Sequence, residues 1–338
     1  MATTCCIIAA RHRVYVNMSE TSKASVTFVT VDSEDAGQRL DNFLLKMLKG
    51  VPKSHVYRIV RSGEIRVNKG RVDVTYRLIE GDVLRIPPVR VAEKAPVPAT
   101  VSNAAELVQI PIVFEDEALI VLNKPSGMAV HGGSGISFGV IELLRAQRPQ
   151  AKFLELVHRL DRDTSGLLLV AKKRSALVKL HEVLRDNHRI DKRYLALVQG
   201  VWPNPRSHIK FKLLKYELPD GERRVKVHSD GLTSHTTVNL KQVWPGKASL
   251  VECELKTGRT HQIRVHLSES GHPILGDDKY GEASVNKAFS REGLKRMFLH
   301  AWRLCVDHPL TGERMELEAP LPPELQSYID KLNAQGKS

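Results

Sequence analysis

The chain of 338 residues contains few cysteines, and this scarcity excludes several classes of protein. The four that occur are Cys5, Cys6, Cys253 and Cys305, and their spacing fits neither a disulfide framework nor the CxxC pairs of a zinc site. The sequence therefore predicts a reducing compartment and no structural metal. The chain also lacks the GxGxxG motif of a dinucleotide-binding loop, so no nicotinamide or flavin cofactor is expected.

Long apolar runs are absent as well, since no stretch approaches the roughly 20 residues that span a bilayer. Residues 1–16 contain a short apolar stretch with no basic residue before it, which makes a poor secretory signal. With 42% hydrophobic and 26% charged residues, the composition is that of an ordinary globular protein. We expect a cytoplasmic protein without a membrane segment, and nothing in the sequence calls for more than a monomer.

Positive charge is plentiful and unevenly distributed. The chain has 51 Lys and Arg against 38 Asp and Glu, a net charge of +13. Residues 38–94 hold 13 Lys and Arg against 6 Asp and Glu, so this short region carries more than half of the excess. Such a concentration favours a nucleic-acid footprint over a merely solvated surface.

Hydrophobic periodicity divides the chain into four predicted parts. Residues 1–35 are an N-terminal extension, expected to be partly disordered, and residues 92–108, rich in Ala, Pro and Val, are a linker. Between them, residues 36–91 combine two short amphipathic helices with small strands. Residues 109–330 mix strands and helices in irregular order, which favours an α+β fold over a doubly wound sheet. Strands are predicted at 112–114, 119–122, 167–170 and 194–198, and helices at 140–148 and 176–187.

The densest group of ionisable residues lies at 156–166, where an apolar strand runs into the sequence HRLDRDTSG. Placing such residues between two buried strands is costly unless they form ion pairs or take part in chemistry. A salt-bridged turn is one interpretation. Another is a magnesium-dependent phosphohydrolase with an Asp161-Arg162-Asp163 nucleophile motif and Asp277 and Asp278 as a later metal site. Against it, another strand follows directly, and two arginines would flank the proposed cation.

A third interpretation rests on a resemblance. Five segments are similar to the motifs of the RluA-type pseudouridine synthases: 123–131, 158–167, 192–200, 257–266 and 298–301. The likeness extends from about residue 37 to 321. The module at 36–91 resembles the small RNA-binding domain of ribosomal protein S4. The resemblance implies a pseudouridine synthase fold with a mixed, largely antiparallel sheet, preceded by an S4-like domain.

The same resemblance implies roles for four residues. Asp161 is expected to be the nucleophile, and Arg264 the guanidinium that favours its ionised form. Tyr194 is expected to stack on uracil and remove the proton from carbon 5. Arg159 is expected to clamp a phosphate or fill the space of the flipped nucleotide. Without the resemblance, Arg264 would be a surface charge on an alternating strand at 262–266, Tyr194 a packing residue and Arg159 part of a salt bridge.

The resemblance also implies the reaction, the isomerisation of specific uridines in large-subunit (23S-type) ribosomal RNA, without metal or cofactor. The substrate is either the naked RNA or a large-subunit precursor particle. Tethering the basic module raises the local concentration of RNA, and its predicted contacts are Arg58, Arg61, Arg66, Lys69 and Arg71. A non-catalytic ribosome assembly factor remains an alternative at this point.

Overall fold

The structure is a computed structural model that describes residues 26–32, 35–48, 51–89, 108–132, 138–186 and 189–335. The chain divides into two compact units, Met1–Ala95 and Pro96–Ser338. Most of the predicted linker at 92–108, and residues 1–25 of the predicted extension, lie outside the described residues. No helix within the described ranges is long and apolar enough to cross a membrane.

The first unit packs two helices against a small sheet. Its elements are β1 (Thr27–Thr30), α1 (Leu40–Met47), α2 (Lys53–Arg61), β2 (Arg66–Val67) and β3 (Val83–Ile86). The antiparallel strand order is β1-β3-β2, and Leu40, Leu44, Ile59 and Leu84 lie in the core between helices and sheet. Both predicted helices are confirmed. Strand β1 falls in a stretch where the sequence pattern had indicated no element.

The second unit is built on one large sheet. Its strands are β4 (Ile112–Glu115), β5 (Leu119–Lys124), β6 (Glu155–Leu156), β7 (Ser165–Ala171), β8 (Ile190–Gln199), β9 (Arg206–Glu217), β10 (Arg223–Val227), β11 (Leu232–Trp244), β12 (Ala248–Leu255), β13 (Leu299–Asp307) and β14 (Arg314–Glu318). Its helices are α3 (Val140–Gln147), α4 (Arg174–Arg185), α5 (Gln262–Glu269), α6 (Ala283–Arg291) and α7 (Pro323–Gln335). The main path runs β10-β9-β11-β12-β8-β13-β7-β5-β4, while β14 pairs with β13 and β6 with β7.

Among the pairings of the described strands, only β7 with β13 is parallel. The mixed, largely antiparallel sheet is thus confirmed, and with it the α+β class. Gly166 permits the parallel contact, because it has a φ of +110° and a Cβ there would lie 2.2 Å from the carbonyl oxygen of Ala301. This close approach fixes the start of β7, which directly follows the loop that carries Asp161.

One local prediction is wrong. The alternating pattern at 262–266 indicated a strand, but these residues open helix α5. Five residues are too few to distinguish the two-residue period of a strand from the 3.6-residue period of a helix. The spacing over a longer stretch indicates the helix, because Ile263 and Leu267, four residues apart, both pack into the core. The consequence for Arg264 is large, because its side chain is 4% exposed instead of lying on a strand surface.

Candidate active site

A broad cleft opens on the second unit, with a volume of about 2850 Å³. This exceeds the roughly 300–1,000 Å³ of a typical small-molecule pocket, so the cleft has room for part of a macromolecule. Asp161, Tyr194 and Arg264 all line it, and the structure thus brings together the three predicted catalytic residues, with Ile263 beside them. Arg159 lines it too.

The core of the site is a chain of charges formed by Asp161, Arg264 and Asp277. Arg264 donates to both carboxylate oxygens of Asp277, Nε to Oδ2 at 2.8 Å and Nη2 to Oδ1 at 2.6 Å. Its remaining Nη1 donates to Asp161 Oδ2 at 3.3 Å. Burial lowers the pKa of Arg264, but its hydrogen bond and charge interaction with Asp277 more than offset this, so the pKa lies above its usual value. The guanidinium is therefore permanently charged beside the proposed nucleophile.

Asp277 was missed as an active-site partner by sequence reasoning. Its side chain is 1% exposed, and its Oδ1 also accepts the backbone N–H groups of Lys279 and Tyr280. The preceding Gly276 has a φ of +79°, and a Cβ there would lie 2.3 Å from the carbonyl oxygen of Arg296. Asp277 and Arg264 were both candidate site residues from the sequence, but the incorrect strand prediction at 262–266 gave no reason to expect that the two side chains pair.

His261 is a second residue whose position the sequence did not reveal. It precedes α5 with a φ of +52°, a left-handed conformation that side chains other than glycine seldom adopt. Its Nε2 lies 3.8 Å from Asp161 Oδ2, and its Nδ1 lies 2.7 Å from the Tyr280 hydroxyl. Burial lowers the pKa of His261 and raises that of Tyr280 to about 12. With the phenol donating to Nδ1, the proton of neutral His261 is assigned to Nε2, facing Asp161.

Tyr194 lies on β8, half-buried between two apolar clusters. Burial raises the pKa of its phenol, and the charge of Asp161 raises it further. The hydroxyl therefore stays protonated at neutral pH. The ring offers the cleft a flat apolar surface, and removal of a substrate proton by this oxygen requires that Tyr194 give up its own proton in the same step.

A buried lysine holds the Asp161 loop from below. Lys124 is fully buried, and its Nζ donates to the carbonyl oxygens of Pro125 at 2.8 Å, Met128 at 2.8 Å and Arg162 at 2.9 Å. Burial lowers its pKa to about 7. Ser126 Oγ adds a hydrogen bond to the Asp163 carbonyl at 2.7 Å. Lys124 and Ser126 therefore hold the backbone of residues 162 and 163, directly after Asp161.

The walls of the cleft are basic, with thirteen Lys and Arg side chains against seven Asp and Glu. Arg159 is exposed there, and its guanidinium pairs with no carboxylate in the part of the chain that the structure describes. The salt-bridge alternative for Arg159 thus finds no partner. A free guanidinium at the mouth of a basic cleft suits contact with a phosphate.

Of the five predicted RNA contacts of the first unit, Arg58 and Arg61 lie on α2, Arg66 lies on β2, and Lys69 and Arg71 follow β2. Arg58 and Arg61 line a shallow depression on α2, where Arg61 and Lys53 approach the ring of Tyr57 at 6.0 and 5.3 Å. Arg66 donates to the carbonyl oxygens of Gly63 and Lys69, and the Arg71 side chain lies against Gly63. The predicted set therefore forms two neighbouring groups rather than one cluster.

The phosphohydrolase interpretation finds no support in this geometry. It required Asp161 and the 277–278 pair to share a cation, but the guanidinium of Arg264 lies between Asp161 and Asp277. No group of three His, Cys, Asp or Glu side chains suited to a metal occurs within the described ranges.

Comparison with known proteins identifies the family. The RNA pseudouridylate synthase family model matches residues 118–269, and the S4 domain model matches residues 38–84. The chain is 54% identical over 318 residues to the ribosomal large subunit pseudouridine synthase C of Haemophilus ducreyi, covering 94% of this chain and 98% of that protein. It is 52% identical over 317 residues to the protein of the same name from Escherichia coli K12, covering 93% and 98%. The chain belongs to the RNA pseudouridylate synthase family, and it is an enzyme of that class.

Solved structures agree in fold. Human RNA pseudouridylate synthase domain containing 4 superposes with a TM-score of 0.56 at 24% identity, covering 70% of this chain and 97% of that one. Human RNA pseudouridylate synthase domain containing 1 gives a TM-score of 0.54 at 26% identity, covering 68% and 95%. The matched family places the site just described in a pseudouridine synthase.

Proposed function

We propose that this enzyme isomerises specific uridines to pseudouridine in the RNA of the large ribosomal subunit, as the names of its relatives say of those proteins. The observation that carries the proposal is the Asp161 carboxylate, 26% exposed to a large basic cleft and held by the buried Arg264–Asp277 pair. A carboxylate so placed is free to attack a substrate, while its guanidinium partner stabilises the charged form.

The reaction breaks the glycosidic bond, turns the uracil and rejoins it through carbon 5. Asp161 is the nucleophile, forming a covalent bond at the anomeric carbon or at carbon 6 of the base. When the bond to Asp161 forms, the negative charge of the carboxylate is lost, and it returns when the product leaves. Arg264 and the Nε2–H of His261 face this oxygen throughout.

Other residues of the cleft bind the flipped uridine and complete the formation of the product. The target uridine leaves its stack at a cost of a few kcal/mol and binds with its ring against Tyr194 and Ile263. Arg159 contacts the displaced backbone. Tyr194 removes the carbon-5 proton as its own phenolic proton passes to solvent, and N1 of the base, freed from the sugar, takes up a proton, so the product has the same atoms as the uridine.

The first unit supplies RNA affinity through Arg58, Arg61, Arg66, Lys69 and Arg71. We take residues 36–91, to whose sheet strand β1 adds, as this RNA-binding domain, 92–108 as a linker and 109–330 as the catalytic domain. The enzyme acts as a cytoplasmic monomer. Deleting residues 1–95 should weaken binding to ribosomal RNA and leave the catalytic unit folded. Equal activity of the truncated enzyme on its natural substrate would contradict this division of labour.

The direct test is to count pseudouridines by nucleoside mass spectrometry after incubation with unmodified transcripts of large- and small-subunit ribosomal RNA in EDTA. We expect pseudouridine in the large-subunit RNA alone, and no loss of activity in EDTA. Asp161→Asn should yield none while still binding RNA. Equal modification of both transcripts would refute the proposed specificity. If naked RNA is not modified, the same count on large-subunit precursor particles decides between an enzyme of assembling particles and a non-catalytic binding factor.

A further inference from the structure

Among the residues that the structure describes, one face of the small sheet in the first unit is packed and the other is left bare. Val29, Val67, Leu84 and Ile86 point to the core or pack against it. The alternate residues point away from the core, and one of them is an aromatic side chain: Phe28 is 67% exposed. Single exposed apolar residues are common, so exposure alone does not indicate a binding surface. The side chains beside Phe28 supply the further observation.

The strand register places two arginines in one row with Phe28. Phe28 on β1 pairs with Arg85 on β3, and Arg85 pairs with Arg66 on β2. Residues paired across neighbouring strands share a face of the sheet, and strands lie about 4.8 Å apart. The Phe28–Arg85–Arg66 row therefore crosses the bare face over roughly 10 Å.

Both guanidiniums in this row are held by the backbone without being neutralised. Arg85 Nη1 donates to the Glu64 carbonyl oxygen at 2.7 Å, and Arg66 Nε donates to that of Gly63 at 3.3 Å. Neither forms an ion pair with any carboxylate of the described residues. Two adjacent positive charges without an acidic partner therefore lie beside an exposed aromatic ring, and this combination suits an anionic ligand that also carries a flat ring.

We propose that the Phe28–Arg85–Arg66 row binds single-stranded RNA, with a base stacked on Phe28 and neighbouring phosphates against the two arginines. The uncompensated positive charge favours an anionic partner over an apolar protein segment. The exposed ring of Phe28 can stack only on a base that is itself unstacked, and single-stranded RNA offers such bases whereas a duplex does not. The inference rests on the proposed function in that RNA is the substrate. It adds a contact surface on the sheet, separate from the depression on α2.

The test measures the affinity of the full-length protein for a fluorescein-labelled oligouridine of twelve nucleotides by anisotropy. Phe28→Ala should raise Kd about 5- to 150-fold, because base stacking on an aromatic ring is lost. Phe28→Tyr, which keeps the ring, should bind like the wild type. Ile79→Ala is the matched control, since Ile79 is also apolar and 63% exposed but lies outside the row. The double change Arg66→Ala and Arg85→Ala should lower the salt dependence, log Kd against log salt, by about 1.4.

A local reporter distinguishes this row from the cleft of the second unit. Phe28→Trp should show fluorescence quenching by the oligonucleotide beyond that of the wild type, whereas Ile79→Trp should not. Equal Kd for Phe28→Ala and wild type with no quenching overturns the inference. So does a blue-shifted emission from the introduced tryptophan of Phe28→Trp in the absence of RNA, because protein then covers this face.

These outcomes are separable from the proposed function. If the wild type isomerises ribosomal uridines while Phe28→Ala binds RNA equally well, only this inference falls. If the wild type isomerises none while Phe28→Ala still loses affinity, the proposed function falls and the RNA-binding row stands.

Discussion

Replacing Asp277 with asparagine tests the charged core of the site, because it alters one atom of a buried ion pair. The introduced amide keeps the Oδ1 acceptor that binds Arg264 Nη2 and two backbone N–H groups. The substitution places an NH2 group where Oδ2 accepts from Arg264 Nε at 2.8 Å, so two donors face each other. The guanidinium, 4% exposed, also loses a full charge partner.

The expected loss of stability follows from this burial. Breaking a buried pair by removing one charge typically costs about 3–5 kcal/mol. Asp161 remains 3.3 Å from Arg264 and compensates part of the charge, so we expect a value near the lower limit, about 3 kcal/mol. Displacement of Arg264 by even about 1 Å should also lower kcat/KM on the order of 100-fold.

The assay is denaturant unfolding followed by tryptophan fluorescence, paired with tritium release from carbon-5-labelled uridine. Trp202, Trp244 and Trp302 all belong to the second unit, so the signal reports that unit alone. Asp278→Asn is the matched control, because it removes the same charge from the adjacent residue, whose side chain is exposed. It should change the free energy of unfolding by less than about 0.5 kcal/mol. If Asp277→Asn behaved like this control in stability and activity, the Arg264–Asp277 pair would not be the support that we describe.

Three further changes probe the rest of the site. Tyr194→Phe keeps the ring that packs against the base, so RNA affinity should hold while tritium release falls about 10²- to 10⁴-fold; unchanged release would exclude Tyr194 as the base. His261→Gln should lower kcat about tenfold with little change in KM, because the group facing Asp161 is altered and RNA contacts are not; a rise in KM alone would contradict a positioning role. Burial lowers the pKa of Lys124 to about 7 in the folded protein, against about 10.4 in the unfolded chain. The free-energy cost of burying its charge therefore destabilises the fold fully below pH 7 and diminishes as the pH rises toward about 10.4. The free energy of unfolding of the wild type should therefore rise between pH 7 and 9 relative to that of Lys124→Met; parallel pH curves would show that Lys124 does not titrate there.

The features that could be predicted from the sequence are those set by local pattern. The predicted strands at 112–114, 119–122, 167–170 and 194–198 are confirmed, because each is a short apolar run bounded by polar or turn residues. The helices at Val140–Gln147 and Arg174–Arg185 follow from their 3.6-residue spacing. The cost of crowding ionisable residues between two buried strands pointed to the loop that carries Asp161.

The features that escaped prediction depend on contacts between distant segments. Lys124 and Arg162 meet only because β5 and β7 are neighbours in the sheet. Asp277 and Arg264 are 13 residues apart in sequence, and they pair because Arg264 lies on helix α5. The five-residue alternation at 262–266 indicated a strand there instead. His261 offered no periodic signal, since its role depends on a left-handed backbone at the start of that helix. Local periodicity cannot report such pairings, which are fixed by tertiary packing.

The proposed reaction depends on Asp161 as the nucleophile of uridine isomerisation. Its most direct test is the single-turnover release of tritium from carbon-5-labelled uridine in unmodified large-subunit ribosomal RNA, comparing wild type with Asp161→Asn. We expect release by the wild type and none above background for the variant, with both proteins binding the RNA alike. Release by Asp161→Asn at a rate near that of the wild type would contradict it.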